Sequence, residues 1–245
     1  MYDKVKIKRM QVAGDILSAI LKELQEAAVV GTNLLELEYL ANELCSNYKV
    51  KPAFKGYEGY PAALCLGVND VVNHGIPYDY ELEDGDIIGI DMGIKYQNVY
   101  SDCTYTVMVG NVSEETKKFV ETTKQAVMNA IKFAKPGNTV GDLGYAMQST
   151  VEAQGYSVVK EMVGHGIGYE LHEDPYIPGY GEKGEGEVLE KGQTIAIEAI
   201  INQGSPKILI SKEDGWTSFT KDGMLSALFE HTVVVDDSPK VLTKW

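Results

Sequence analysis

Apolar residues recur at helical spacing near the start of the chain. Met10, Ala13, Leu17 and Ile20 follow one another at three- and four-residue steps, with charged residues between them. This spacing predicts an amphipathic helix. A second helix is expected after the break at Gly31. Beyond it the apolar residues form short runs between turn residues, which is typical of strands.

The same order of elements begins again at Ser113, whose side chain suits the N-cap of a helix. Glu114 and Glu115 follow it, and acidic residues are favourable in a first helical turn. A break at Pro136 and Gly137 separates this helix from a fourth one. The second half of the chain therefore repeats the helix–helix–strand order of the first half.

Four segments of the first half also match segments of the second half in sequence. The pairs are 31–39 with 137–145, 73–77 with 164–168, 85–91 with 192–198, and 102–107 with 230–235. Each match is short, but four in the same order indicate an internal duplication. We expect one domain spanning residues 1–245, with halves of roughly 1–110 and 111–245 packed about a pseudo-twofold axis.

The repeat pairs the acids that lie inside apolar runs. It matches Asp91 with Glu198, and Asp102 with Glu230. If the two strands of the first half form a hairpin, Asp91 and Asp102 stand side by side on one face. Under the pseudo-twofold axis, all four carboxylates converge.

Four buried carboxylates would repel one another strongly. Two divalent cations would balance their charge, and carboxylates with an occasional imidazole suit Mn, Fe, Co or Zn. The alternative is that each acid is a solvated residue at a strand edge. A solvated position would explain any single one of these acids. It poorly explains why all four lie at positions that the repeat matches.

Two of the four histidines, His165 and His172, lie seven residues apart in the glycine-rich segment GHGIGYELHEDP. They could be two ligands of one metal, an acid–base pair or ordinary loop residues. The glycines at 164–168 suit a close approach between backbone segments. Glu173 and Asp174 follow His172 but do not form an HExxH motif.

Charge and cysteine content exclude several classes of function. The chain has a net charge of −14, so it would repel the phosphates of nucleic acid. Its three cysteines include no CxxC pair, which argues against a disulfide framework or a structural zinc site. We find no signal peptide and no apolar run long enough to cross a membrane, and we therefore expect a cytoplasmic protein with no membrane partner.

Several blocks in a fixed order resemble one enzyme family. They are GYEGYPAALCLGVNDVVNHGIP (56–77), DMG (91–93), SDCT (101–104), GHGIGYELHEDP (164–175), IEAI (197–200), DGWT (214–217) and LFEHTVVV (228–235). Over nearly its whole length the chain resembles the type I methionine aminopeptidases, which have the "pita-bread" fold. The resemblance implies an α+β protein with antiparallel sheets at the centre and helices outside.

The resemblance also implies a mechanism. Two divalent ions (Co, Mn, Fe, Zn or Ni) would activate a hydroxide that attacks the first peptide bond and releases the N-terminal methionine of a peptide or nascent protein. The implied metal ligands are Asp91, Asp102, His165, Glu198 and Glu230. Of these, Asp102 and Glu230 would bridge the ions, and Glu198 would also relay a proton.

The implied substrate site consists mainly of aromatic residues and histidines. Its residues are Tyr57, Tyr60, Cys65, His74, His172 and Trp216. His172 would stabilise the oxyanion, and His74 would contact the nitrogen side of the scissile bond. Without the resemblance, the tyrosines, Trp216 and Cys65 would more simply be core residues.

Three residues depart from the family pattern. Phe54 and Leu171 stand where a cysteine and an aromatic residue are common, and either could reshape the pocket. Ala199 follows Glu198 in place of the usual proline, which would hold the ligand strand more rigidly. By strand alternation, His231 and Cys103 face away from the site.

Two other functions remain open at this point. One is a different pita-bread peptidase, specific for Xaa-Pro bonds, although such enzymes usually have an additional N-terminal domain. The other is a peptide-binding relative without catalysis, but such relatives usually lack the metal ligands. We also expect a monomer that works close to the ribosome.

Overall fold

Four helices lie at the positions that the apolar periodicity predicts. The computed structural model describes residues 3–245. Its helices are α1 (Lys4–Ala27), α2 (Leu34–Tyr48), α3 (Glu114–Ile131) and α4 (Val140–Glu152), and one turn of 3-10 helix covers Tyr57–Gly59. The predicted apolar face of α1 is fully buried. No helix among the described residues combines the length and apolarity needed to cross a bilayer.

The duplicated segments begin their helices in the same way. The Glu36 carboxylate accepts the backbone N–H of Asn33 at the start of α2, at 3.4 Å. The Asp142 carboxylate accepts the backbone N–H of Thr139 at the start of α4, at 2.8 Å. Ser113 caps α3, as predicted, because its hydroxyl accepts the N–H of Thr116. Acidic partners three residues after an N-cap satisfy donors that the helix itself leaves unpaired.

Thirteen strands complete the described chain. They are β1 (Lys51–Pro52), β2 (Cys65–Val68), β3 (Val71–Asn73), β4 (Ile87–Tyr96), β5 (Val99–Met108), β6 (Ser157–Val158), β7 (Gly164–Gly166), β8 (Glu173–Ile177), β9 (Thr194–Asn202), β10 (Ile208–Ile210), β11 (Ser218–Thr220), β12 (Ser226–Val234) and β13 (Lys240–Val241). Ten of them form one antiparallel sheet, and β10, β11 and β3 form a second.

The centre of the large sheet reflects the duplication. Its strands run in the order β4–β5–β12–β9. The repeat matches β4 with β9 and β5 with β12, so the order reads the same from either end. A pseudo-twofold axis therefore passes between β5 and β12.

Helices cover one face of this sheet. α1 packs on β4 and β5, and α3 packs on β9 and β12. Most of the strand residues that face these helices are aliphatic or aromatic, including Ile90 and Met92 in the first half and Ile197 and Phe229 in the second. This arrangement confirms the α+β prediction. The four acids that the repeat pairs lie on the opposite face of the sheet.

Candidate metal and peptide site

Five strands place one row of side chains across the open face of the sheet. Cys65 pairs with Asp91, and Asp91 pairs with Thr104. Thr104 pairs in turn with Glu230, and Glu230 with Glu198. Residues directly opposite in an antiparallel pair share a face. The register alone therefore brings three of the predicted acids into one line.

The hairpin turn sets the position of the fourth acid. Gln97 and Asn98 have positive φ angles of 46° and 64°, and they connect β4 and β5 through a two-residue turn. This register places Asp102 opposite Gly93, whereas Asp91 lies opposite Thr104. The two aspartates are thus diagonal neighbours on one face. They share one face, as the sequence suggested, but they are offset by two residues and do not pair directly.

β7 adds the imidazole. His165 lies opposite Ala196, two residues before Glu198, so it faces the same side of the sheet. Its exposed fraction is 5%, and none of the four acids exceeds 9%. One ligand atom each of Asp102, His165 and Glu230 lies within 4.8 Å of the others. The structure brings together all five predicted ligands.

Burial opposes the charged form of every group in this cluster. It raises the pKa of Asp91 to about 7. Burial, followed by repulsion from neighbouring carboxylates, raises the pKa values of Asp102, Glu198 and Glu230 well above their usual range. Burial likewise lowers the pKa of His165 to about 4. The ionised forms of these carboxyls therefore need a nearby positive charge to be stable at neutral pH.

The donor set fits a divalent cation. His165 Nδ1 lies 2.8 Å from the Gly166 carbonyl oxygen, which only accepts, so Nδ1 holds the hydrogen. The bare Nε2 then faces Glu198 Oε1 at 3.5 Å. Glu230 Oε1 is buried and has no hydrogen-bond partner in the described chain. These electron-rich atoms are ones that a cation would satisfy.

A threonine hydroxyl connects two of the acids. Thr104 Oγ1 lies 2.9 Å from Asp91 Oδ1 and 2.8 Å from Glu230 Oε2. The hydroxyl has one hydrogen, which it donates to one of these two oxygens at a time, while the other oxygen of Glu230, Oε1, has no hydrogen-bond partner among the described residues. Such partners commonly set the orientation of metal ligands.

One cavity of about 470 Å³ is lined by all the predicted ligands and substrate residues. At its apolar end Tyr60 and Cys65 are buried and pack against Phe54 and Trp216. The Tyr60 and Trp216 rings meet edge to face with centroids 5.2 Å apart. The aromatic residues are thus both packed and part of the cavity wall.

The two other predicted histidines also line this cavity. His172 stands beside the ligand cluster, with its ring edge to face against His165 at 4.3 Å. His74 has a positive φ of 55°, and its ring lies 6.2 Å from that of Trp216. Burial lowers the pKa of His74, which favours its neutral form.

Comparisons with known proteins agree with this geometry. The model of metallopeptidase family M24 matches residues 8–237. The methionine aminopeptidase of Clostridium perfringens is 42% identical over 239 residues, which is 97% of this chain and 96% of that protein. The crystal structure of the Thermotoga maritima methionine aminopeptidase superposes with a TM-score of 0.96 at 41% identity, and the match covers 99% of this chain and 98% of that one.

The chain belongs to the methionine aminopeptidases of family M24.

Other M24 members share the fold at greater distance. The prolidase of Pyrococcus horikoshii gives a TM-score of 0.80 at 26% identity. This chain covers only 63% of that structure, compared with 98% of the Thermotoga methionine aminopeptidase. The alternative of an Xaa-Pro peptidase is therefore not favoured.

The fourth histidine of this methionine aminopeptidase family member, His231, lies on the face of the sheet opposite the acids. His231 stacks on Trp245 at 3.8 Å, and its Nδ1 lies 2.8 Å from the Thr243 hydroxyl. Cys103 Sγ contacts the Glu230 carbonyl oxygen on the same side. Both residues face away from the acids, as strand alternation predicted.

Several residues of the cavity wall were not predicted from the sequence. Asn73, Met162, Val163 and Tyr176 line the cavity without being part of any predicted set. Nothing in their types or spacing distinguishes them from ordinary loop and strand residues. Strand alternation does place Thr104, whose hydroxyl lies beside Asp91 and Glu230, on the same face of β5 as Asp102.

Proposed function

We propose that this protein removes the N-terminal methionine from peptides and nascent proteins by hydrolysing the first peptide bond. The observation that supports this best is one cavity with five buried ligand side chains beside an aromatic and apolar wall. Carboxylates and imidazole suit divalent cations. A wall that includes Tyr60, Cys65 and Trp216 suits a flexible thioether side chain.

Five residues would hold the ions. In this proposal Asp91, Asp102, His165, Glu198 and Glu230 would hold two divalent cations. Asp102 and Glu230 would be shared between the ions, Asp91 would serve one of them, and His165 and Glu198 would serve the other. Cations in this position supply Lewis acidity and lower the pKa of water toward neutrality. The ligand set accepts several metals, so the choice among Co, Mn, Fe, Zn and Ni requires a direct assay.

The side chains around this centre would divide the remaining work. Glu198 accepts a proton from the attacking water and passes it toward the leaving nitrogen. His172 donates a hydrogen bond to the carbonyl oxygen as negative charge develops there. His74 contacts the nitrogen side of the scissile bond. Together with Tyr57, the apolar wall binds the methionine side chain.

The first test is hydrolysis of methionine-initiated peptides. Metal-free protein should release methionine from Met-Gly-Met or Met-Ala-Ser only after titration with Mn, Fe, Co or Zn. Glu198→Gln should lower turnover strongly. Full activity after exhaustive chelation, or in Glu198→Gln, would refute the scheme.

Two histidine variants separate metal binding from rate. His165→Ala should lose metal affinity, whereas His172→Ala should keep the metal and lose turnover. Calorimetric titration with Mn provides the first measurement and single-turnover kinetics the second. Equal loss of metal in both variants would mean that the two roles are wrongly assigned.

A peptide panel addresses the alternatives. Cleavage of Xaa-Pro dipeptides without cleavage of Met-Ala-Ser would favour a prolidase-like activity. Stoichiometric metal binding without hydrolysis under any metal would favour a peptide-binding relative.

We further propose that residues 1–245 act as one catalytic domain, as a monomer in the cytoplasm, close to the ribosome. The homology supports a peptide or nascent-chain N-terminus as the substrate. Light scattering of the purified protein and co-sedimentation with ribosomes would test the oligomeric state and the proximity.

A further inference from the structure

One hydrogen bond defines the orientation of the His172 ring in the described chain. His172 Nδ1 lies 2.9 Å from the hydroxyl of Tyr57. The same tyrosine ring meets the histidine ring edge to face, with centroids 5.1 Å apart. The His172 ring also meets the His165 ring edge to face, with centroids 4.3 Å apart. The imidazole thus contacts two rings, and one of its nitrogens is already occupied.

The chemistry of the two groups decides the direction of this bond. A phenol is a better donor than a neutral imidazole N–H, and a bare imidazole nitrogen is a better acceptor than a phenol oxygen. Tyr57 therefore donates to Nδ1, and the hydrogen of the neutral His172 ring resides on Nε2.

We propose that Tyr57 is a positioning residue that holds His172 in the Nε2–H tautomer, with this hydrogen available to the carbonyl oxygen of the substrate. The inference rests on the proposed function, in which His172 donates a hydrogen bond to the developing oxyanion. The opposite tautomer would present a lone pair to that oxygen and repel it.

The backbone around Tyr57 supports a fixed position for its hydroxyl. Gly56, Glu58 and Gly59 have positive φ angles of 87°, 47° and 92°. The backbone N–H of Gly56 closes the turn on the Tyr60 carbonyl oxygen at 2.7 Å. A left-handed glutamate is unfavourable on its own and persists only where the surrounding structure enforces it.

Tyr57 also lines the cavity, so loss of its hydroxyl could act in a second way, through the shape of the pocket. The two explanations differ in what depends on His172. A wall residue affects substrate binding whether or not His172 is present. A positioning residue loses its effect once His172 is removed.

Nitrogen NMR observes the tautomer directly, without any assay of activity. The chain has four histidines, so a histidine-¹⁵N-labelled sample gives a simple spectrum, and the His172→Ala spectrum identifies the relevant signals. In zinc-loaded wild type, His172 should show a protonated Nε2 and a bare Nδ1. In Tyr57→Phe the ring stacking is kept, and the two nitrogen shifts should move toward those of a tautomer mixture.

A double-mutant cycle supplies the kinetic test. Tyr57→Phe should lower kcat roughly tenfold with less than a twofold change in KM, as expected for a group that acts in the transition state. In the His172→Ala background the same substitution should change kcat by less than twofold. Tyr39→Phe, at an exposed position on α2, is the matched control and should match wild type in both measurements.

Two outcomes would overturn the inference. One is a Tyr57→Phe spectrum with unchanged His172 nitrogens, and the other is an equal kcat loss with and without His172. Failure of the proposed function is distinguishable from either. In that case wild type releases no methionine with any metal, while the NMR measurement still reports whether Tyr57 sets the tautomer.

Discussion

Thr104 occupies a position where one hydroxyl hydrogen faces two carboxylates. It lies within 2.9 Å of oxygens of both Asp91 and Glu230, yet it can donate only to one at a time. Its repeat counterpart, Thr232, instead bonds to the backbone N–H and carbonyl oxygen of Asp102. The duplication therefore preserved the residue type while the two hydroxyls took different partners.

We predict that Thr104→Val weakens divalent metal binding about tenfold or more, because an unoriented carboxylate binds a cation less well. Isothermal titration of metal-free protein with Mn gives the affinity directly. Thr104→Ser keeps the hydroxyl and should retain most of the affinity.

Thr106→Val is the matched control for this prediction. Thr106 lies two residues further on the same face of β5, and its hydroxyl bonds to the backbone of Leu228 rather than to a carboxylate. Equal weakening of metal binding in Thr106→Val and Thr104→Val would show that general packing, and not ligand orientation, is responsible.

At the scale of elements, β7 depends on glycine for contact with both of its neighbours. A Cβ on Gly164 would overlap the carbonyl oxygen of Ala196 on β9, and one on Gly166 would overlap that of Asp174 on β8. Both obstacles are backbone atoms, which cannot move aside without shifting a strand. The glycines that flank His165 thus permit the strand spacing on which its position depends.

We predict that Gly166→Ala lowers the free energy of unfolding by about 2 kcal/mol, the usual scale for overpacking, and also weakens metal binding. Gly168→Ala is the control. A Cβ there would meet only the ends of the Glu173 and Lys6 side chains at 3.0 Å, which are flexible. Urea unfolding should show a clearly smaller loss for Gly168→Ala, and similar losses in the two variants would contradict this explanation.

Sequence patterns predicted some elements better than others, for physical reasons. The helices were predictable because burial of one face imposes a period that the residues must follow, as at Leu17 and Ile20. The acids were found because carboxylates are costly inside apolar strands. The diagonal placement of Asp91 and Asp102 was missed, since it depends on the two-residue turn at Gln97 and Asn98.

The cavity wall was predicted only in part. Tyr60 and Trp216 entered through the family resemblance, whereas Asn73 and Met162 have no distinguishing pattern. Asn73 is the last residue of β3, and Met162 lies in the segment before β7. Their place in the wall follows from how these two segments pass over the large sheet. Such paths are fixed by tertiary packing, which local sequence does not encode.

At the scale of the whole molecule, duplication explains why the acids meet. The sequence repeat matches Asp91 with Glu198 and Asp102 with Glu230, and the pairing of β5 with β12 joins the two halves in one sheet. Each half alone supplies two acids, and their convergence requires both halves in one sheet. A cation bound by these buried carboxyls would link the two halves, so metal binding should affect the stability of the whole fold.

We therefore predict that divalent metal stabilises the whole protein. A ligand at one hundred times its Kd adds about 2.7 kcal/mol to the free energy of unfolding. For a chain of this size that should raise the Tm by roughly 5–10 °C. The measurement is thermal unfolding of chelator-treated protein with and without Mn. Asp102→Asn removes a proposed shared ligand and should abolish most of the rise. An unchanged wild-type Tm would contradict the prediction, and an equal rise in the variant would place the stabilising cation elsewhere.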